Sequence, residues 1–248
     1  MKLEKIITWL DKTLNVADFD DVSNNGLQIA RDGDEVETVA FAVDASVRAV
    51  EAAAQAGAQL LVVHHGISWG GGIRRISGGV SRVVRAAMEA NLALYACHLP
   101  LDAHETLGNN AQLARLLGLR GIRKAFSYHG NVIGFVGEGR GPRVFKGLEA
   151  LGVAPSTLQS LTLSPSQLHI GVCSGGAGEF AEEAKELGCD LYLTGEASWG
   201  DVIAAENCGM AMVCAGHYAT EVFGVRAVSG AMRRALKVNA VDLTERLR

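Results

Sequence analysis

Short apolar runs alternate with alanine-rich, helix-patterned stretches, and this alternation occurs twice along the chain. In the first pass TVAFAV (Thr38 to Val43) reads as a strand. SVRAVEAAAQA (Ser46 to Ala56) reads as a helix, with Ser46 at its N-cap and Gly57 as its stop. QLLVV (Gln59 to Val63) is a second strand, followed by a helix from Ser81 to Ala90 and a strand from Leu92 to Cys97. A β-α-β-α-β order needs crossover connections, so it predicts a mainly parallel sheet covered by helices. The second pass begins near Leu168: HIGVCS as strand, GGAG as turn, EFAEEAKELG as helix, DLYLT as strand, a helix over Trp199 to Asn207, and a strand over Met210 to Cys214.

The two passes superimpose without a gap at an offset of 131 residues: Phe41 falls on Val172, Gly57 on Gly188, Leu61 on Tyr192, and His65 on Glu196. Two readings are open, an internal duplication or the general likeness of β-α-β units. The expected fold is α/β: two related lobes with mainly parallel sheets. Between the passes GNNAQLARLLG (Gly108 to Gly118) looks helical, and Ser127 to Gly141 is turn-rich around the short strand VIGFV. The domains expected are therefore residues 1–125 with 200–248, and residues 126–199.

A chain of 248 residues that is 48% hydrophobic can bury a real core, which excludes disorder for its bulk. The formal net charge of −4 and 6% aromatic content argue against nucleic acid as a partner. No apolar run approaches the roughly 20 residues that span a bilayer, so no membrane is expected. The opening MKLEKIITWLDKTL reads as an amphipathic helix, with Leu3, Ile6, Ile7, Leu10 and Leu14 on one stripe, and not as a signal peptide. The five cysteines form no C-x-x-C pair; buried reduced thiols and a cytoplasmic location are expected.

Three strands run directly into metal-type ligands. LLVV leads to His64 and His65, LALYAC to His98 and then Asp102, and MAMVCAG to His217 and then Glu221. Ligands of open α/β sheets bind beyond the carboxyl ends of strands. His64 and His65 are expected just past their strand, at a turn eased by Gly66. His217 and Glu221, four apart, share a face if a helix starts there. Imidazoles and carboxylates without thiolate suit iron, manganese or zinc, and this many ligands fits two divalent ions better than one. Asp44 and Glu196, at strand ends in the two passes, are candidates to orient a ligating histidine; Asp44 is equally a helix-cap candidate.

SNNGLQI (Ser23 to Ile29), VVHHG (Val62 to Gly66), HLPLDAH with GNNAQLA (His98 to Ala114), LTGE (Leu193 to Glu196) and GHYATEVFGVRAV (Gly216 to Val228) closely resemble the GTP cyclohydrolase type 2 homologue family. The resemblance implies a dinuclear metal-binding α/β protein assembled as a toroidal homohexamer. It implies His64, His65, Asp102, His217 and Glu221 as metal ligands, with Glu221 bridging both ions. His65 and Asp102 would serve one ion, His64 and His217 the other, and His98 would support them or add a ligand. Many members carry a histidine three residues after the Thr-Gly-Glu glutamate; here Trp199 stands there, which removes any role resting on that histidine.

The activity expected is a metal-dependent hydrolase acting on a small anionic or nucleotide-like substrate. The family name implies opening of the guanine ring of GTP, but no Walker-type loop is present to hold a triphosphate. The rival is a non-catalytic metal-storage, metal-delivery or regulatory scaffold. Gly66-Ile67-Ser68-Trp69-Gly70 matches a G-x-S-x-G nucleophile elbow, yet the glycines that follow do not favour the helix such an elbow needs. Gly175-Gly176-Ala177-Gly178 reads as a tight turn or an anion-binding loop, and Arg74, Arg75, Arg82 and Arg85 as a solvated face or an anion clamp.

Overall fold

The computed structural model describes residues 1–154 and 166–248. It divides into two compact units: Met1–Leu101 with Gly224–Arg248, and Asp102–Phe223.

The first unit holds a five-stranded sheet in the order β1-β4-β3-β2-β10, from β1 (Gly26–Ile29), β2 (Thr38–Asp44), β3 (Leu60–His65), β4 (Ala93–Ala96) and β10 (Asn239–Asp242). Only β1 runs antiparallel; the other three pairings are parallel. Helix α1 (Leu3–Leu14) buries Ile6, Leu10 and Leu14 of the expected stripe, while Leu3 and Ile7 stay partly exposed. Helices α2 (Val47–Gln55) and α3 (Gly78–Glu89) supply the crossovers. Ala40, Ala42, Val50, Leu61, Val63 and Leu94 lie in one core cluster. Ser46 caps α2 by accepting the N–H of Ala49 at 3.1 Å. That leaves the Asp44 carboxylate for another partner.

The second unit begins within α4 (Leu99–Ala103) and continues through α5 (Asn109–Leu117), β5 (Arg120–Tyr128), β6 (Asn131–Gly139) and α6 (Gly141–Ala150). Further along the chain come β7 (Leu168–Cys173), α7 (Ala181–Glu186), β8 (Leu191–Thr194), α8 (Trp199–Cys208), β9 (Ala211–Cys214) and the start of α9 (His217–Ala235). The sheet order is β5-β6-β7-β8-β9. Its pairings are half antiparallel (β5 with β6, β6 with β7) and half parallel, so this lobe is less parallel than expected. The first of these antiparallel pairings is a tight hairpin: residues Tyr128 and Asn131 pair across a two-residue turn that carries His129 and Gly130 at positive φ.

The units also divide elsewhere than the expected boundaries. Residues 102–125 and 200–223 group with the second unit, because β5 and β9 pair into its sheet and α5 packs on β6. The return of the tail to the first unit starts at Gly224, and β10 completes the sheet beside β2.

The repeat holds at the level of strand register. Phe41 pairs with Val62, and 131 residues later Val172 pairs with Leu193; Val39 with Leu60 and Ile170 with Leu191 match in the same way. The turns match too. Gly57 and Gly188 both take positive φ, and the following N–H groups, of Ala58 and Cys189, close onto Ala53 and Ala184 at 3.0 and 2.9 Å. A helix stop of this kind needs a left-handed residue, which glycine supplies without a Cβ penalty.

Candidate metal centre

In the first unit the three expected histidines come together. His64 and His65 are the last two residues of β3 and not part of a turn beyond it, so strand alternation points them differently: His64 is fully buried, His65 partly exposed. His98 follows β4. One ring nitrogen from each lies within 4.8 Å of the others, a group able to hold a metal ion. The ring centroids of His64 and His65 are 4.5 Å apart, those of His64 and His98 5.2 Å. The Trp69 indole stands edge-on to His98 at 5.1 Å.

Each of these rings is held through Nδ1 by a group that can only accept. His64 Nδ1 donates to the carbonyl of Cys97 at 2.9 Å, His65 Nδ1 to Asp44 Oδ1 at 2.8 Å, and His98 Nδ1 to Asp21 Oδ1 at 2.9 Å. A neutral ring that donates from Nδ1 carries its lone pair on Nε2, the tautomer a metal ligand needs.

Asp21 has no signal of its own in the sequence. It lies in the irregular stretch before SNNG, and only the fold brings it to His98, 77 positions along. It also accepts the N–H groups of Ser23 and Leu99 and the side chain of Asn25, at 3.0, 2.8 and 2.8 Å. Burial alone would raise its carboxyl, but these hydrogen bonds, His98 foremost, outweigh burial and hold it below its ordinary value.

In the second unit His217 opens α9, and Glu221 lies one turn on with Oε1 3.2 Å from His217 Nε2. His217 Nδ1 meets Glu196 Oε1 at 2.9 Å, the same anchoring as in the first unit. The hydrogen bond to buried Glu221 outweighs the effect of burial and, with Glu196, raises His217 to about 9. Asp102, buried in α4, accepts from Asn109 Nδ2 at 2.8 Å and from Ser174 Oγ at 3.0 Å through one oxygen, Oδ1.

Glycines 175 and 195 explain the crowding around α9. A β-carbon on Gly175, whose φ is +69°, would collide with Glu221 Oε1. One on Gly195 would stand 2.6 Å from both the Gly175 carbonyl and Thr220 Oγ1. Both positions lie in loops after parallel strands, where the backbone N–H groups of Gly195 and Glu196 share the Gly175 carbonyl at 2.9 Å. The Gly175 N–H itself donates to Thr220 Oγ1, so this turn serves packing of the helix start.

The remaining sequence candidates fall outside these groups. Ser68 is followed by a loop up to Gly78 and accepts from Asn24 Nδ2 at 2.8 Å, which is not the geometry of a nucleophile elbow. Arg74, Arg75, Arg82 and Arg85 are all exposed. Trp199, in place of the family's histidine, is 76% exposed at the start of α8.

Residues 1–245 match the family described as Duf34/NIF3 (NGG1p interacting factor 3). A Pyrococcus horikoshii protein named "GTP cyclohydrolase 1 type 2 homolog" is 38% identical over 245 residues, 97% of each chain. Among solved structures, protein ybgI, described as of unknown function, is 30% identical with a TM-score of 0.83, and a Thermus thermophilus protein is 31% identical with a TM-score of 0.82. Both alignments cover 98% of each chain. A match over nearly the whole length places this chain in the Duf34/NIF3 family, among the GTP cyclohydrolase 1 type 2 homologues.

Proposed function

We propose that this chain is a metal-dependent hydrolase that holds two divalent ions through His64, His65, Asp102, His217 and Glu221, with Glu221 shared by both. The observation that carries the reading is the common anchoring of the rings: His64, His65, His98 and His217 each meet an acceptor through Nδ1. Three imidazoles fixed in the ligating tautomer, with His217 anchored through Nδ1 in the same way, are costly to arrange without a ligand to justify them. The absence of thiolate from the set suits iron, manganese or zinc.

When bound, such a pair of ions supplies hydroxide near neutral pH and polarises the bond under attack. The chain's own residues orient and exclude. Asp44 and Glu196 fix the planes of His65 and His217. Trp69 walls one side of His98 and limits what approaches it. A small anionic or nucleotide-like substrate suits this setting, in a reducing, cytoplasmic compartment where the five free cysteines persist. A toroidal homohexamer is proposed from the family resemblance; a light-scattering mass of six times 26.1 kDa would support it, and a stable dimer would overturn it.

The test is a hydrolase screen on purified protein loaded with Mn(II), Fe(II) or Zn(II), across nucleotides, cyclic amides, phosphoesters and peptides. Turnover that disappears in Glu221→Gln and persists in Lys12→Gln, an exposed position on α1, supports an enzyme. Tight metal binding without turnover on any class favours a metal-storage or regulatory scaffold instead.

A further inference from the structure

The second unit contains a cavity of about 780 Å³ that none of the metal-type residues lines. Among the described residues four arginines surround it, Arg115, Arg120, Arg140 and Arg143, against a single carboxylate, Glu138. Its place in the fold is set by strand register. Arg120 opens β5 and pairs with Glu138 near the end of β6, and Gly139 pairs with Leu168, the first residue of β7. The cavity therefore sits at the amino end of β7. Glu196, His217 and Glu221 follow the carboxyl ends of β8 and β9, which run parallel to β7. Six residues of strand at about 3.3 Å each put these two ends of the sheet roughly 17 Å apart.

Gathering four guanidiniums around one hollow is unfavourable unless something negative offsets them. The structure does not offset them. Among the described residues none of the four makes an ion pair, and residues 155–165 contain no acidic side chain. Glu138 is engaged by the Gln167 amide at 2.6 Å. The site is also built. A β-carbon at Gly118 would stand 2.6 Å from Arg143 Cγ, so the glycine makes the room in which the Arg143 stem lies. Arg115 is tied to the Thr106 carbonyl at 3.3 Å. Helix α6 starts here with Arg140 at its N-cap and no side chain capping it, so the positive end of the helix dipole adds to the same field.

We propose that this cavity binds a small molecule bearing two or more linked phosphates. Guanidinium forks match phosphate oxygens two at a time, and four of them exceed what one phosphate can occupy. The volume is that of a small-molecule pocket, and its concavity disfavours a nucleic-acid duplex. Among the described residues no aromatic ring lines it, so the phosphate chain is the recognised element and an attached base is not. The site is separate from the proposed metal centre and does not depend on it.

Calorimetry on the full chain, stripped of metal with EDTA so that no ion mediates binding, tests this with inorganic triphosphate as the probe. One site per chain is expected, with orthophosphate at least about tenfold weaker and ATP within about threefold of triphosphate. The double variant Arg120→Gln/Arg143→Gln should weaken triphosphate more than about tenfold, and Glu138→Gln should tighten it severalfold. All three positions are exposed, and thermal melts check that the fold survives; Glu138→Gln reads a gain that misfolding cannot mimic. No binding at millimolar triphosphate, or affinity unchanged in the double variant, overturns the proposal. So does a DNA duplex that binds through the same arginines and is not displaced by triphosphate.

Discussion

Gly175 and Glu221 stand so close that a β-carbon on the first would occupy the space of the carboxylate on the second. They are far apart in sequence, and the contact lets a buried glutamate on the first turns of α9 sit against the loop after β7. Gly175→Ala is expected to displace Glu221 and to strain a backbone held at φ +69°, at a cost of about 1–3 kcal/mol. Metal content should fall although every ligand is retained. Elemental analysis beside a thermal melt checks both; full metal loading in the variant would show that Glu221 does not hold the ion.

The Asp44–His65 hydrogen bond makes a different prediction, because Asp44 is half exposed and little stability rests on it. Asp44→Ala should leave the melting temperature nearly unchanged while metal affinity drops about 10–100-fold, the usual loss when the carboxylate behind a ligating histidine is removed. Competition titration with a chelating dye measures it. An unaltered affinity would assign Asp44 to the surface.

Glu221 and Asp102 should differ in what they lose. Under the proposed ligand set, Glu221→Gln is expected to weaken both metal positions and Asp102→Asn to empty one. The amide at 102 keeps an oxygen for Asn109 and Ser174, so the fold is spared. Metal stoichiometry under saturating manganese should fall from two ions per chain to one in Asp102→Asn. Identical losses in both variants would remove the bridging role.

Asp21 carries a pH signature. Its carboxyl lies below the ordinary value in the folded chain, so the stability it contributes is fully present above that ordinary value and is lost as pH falls through the lower, folded one. Asp21→Asn should therefore be less stable than the parent at neutral pH, with the gap narrowing in acid, below the ordinary carboxylate range. Urea midpoints under the two conditions read it directly; a gap that is constant with pH would mean Asp21 acts only as a neutral acceptor.

The parallel core of each unit was legible in the sequence because buried parallel strands read as continuous apolar runs. TVAFAV, LLVV and LYLT all became strands, and Ser46, Gly57 and Gly118 marked helix ends where the structure has them. The edges were not legible. RGIRKAFSY is a nine-residue strand, β5, but an edge strand with five exposed residues in a row has no apolar run to betray it. The metal-type residues were visible as motifs, whereas Asp21 was not: an anchor far from its histidine in sequence leaves no local pattern. His64 and His65 were expected past the strand because a strand end and a turn look alike when both are followed by glycine.

Strand β10 has a consequence for synthesis. It forms one border of the first sheet, yet it is translated after the whole of the second unit. On the ribosome, Asp102–Phe223 emerges as one continuous stretch with all the strands of its sheet, while β2 waits with a bare edge until Asn239–Asp242 leaves the exit tunnel. An apolar strand with unpaired N–H and C=O groups is a template for wrong partners during that interval. The nascent chain is thus most exposed to aggregation late in translation, and a stall shortly before Asn239 leaves a completed second sheet and an incomplete first one.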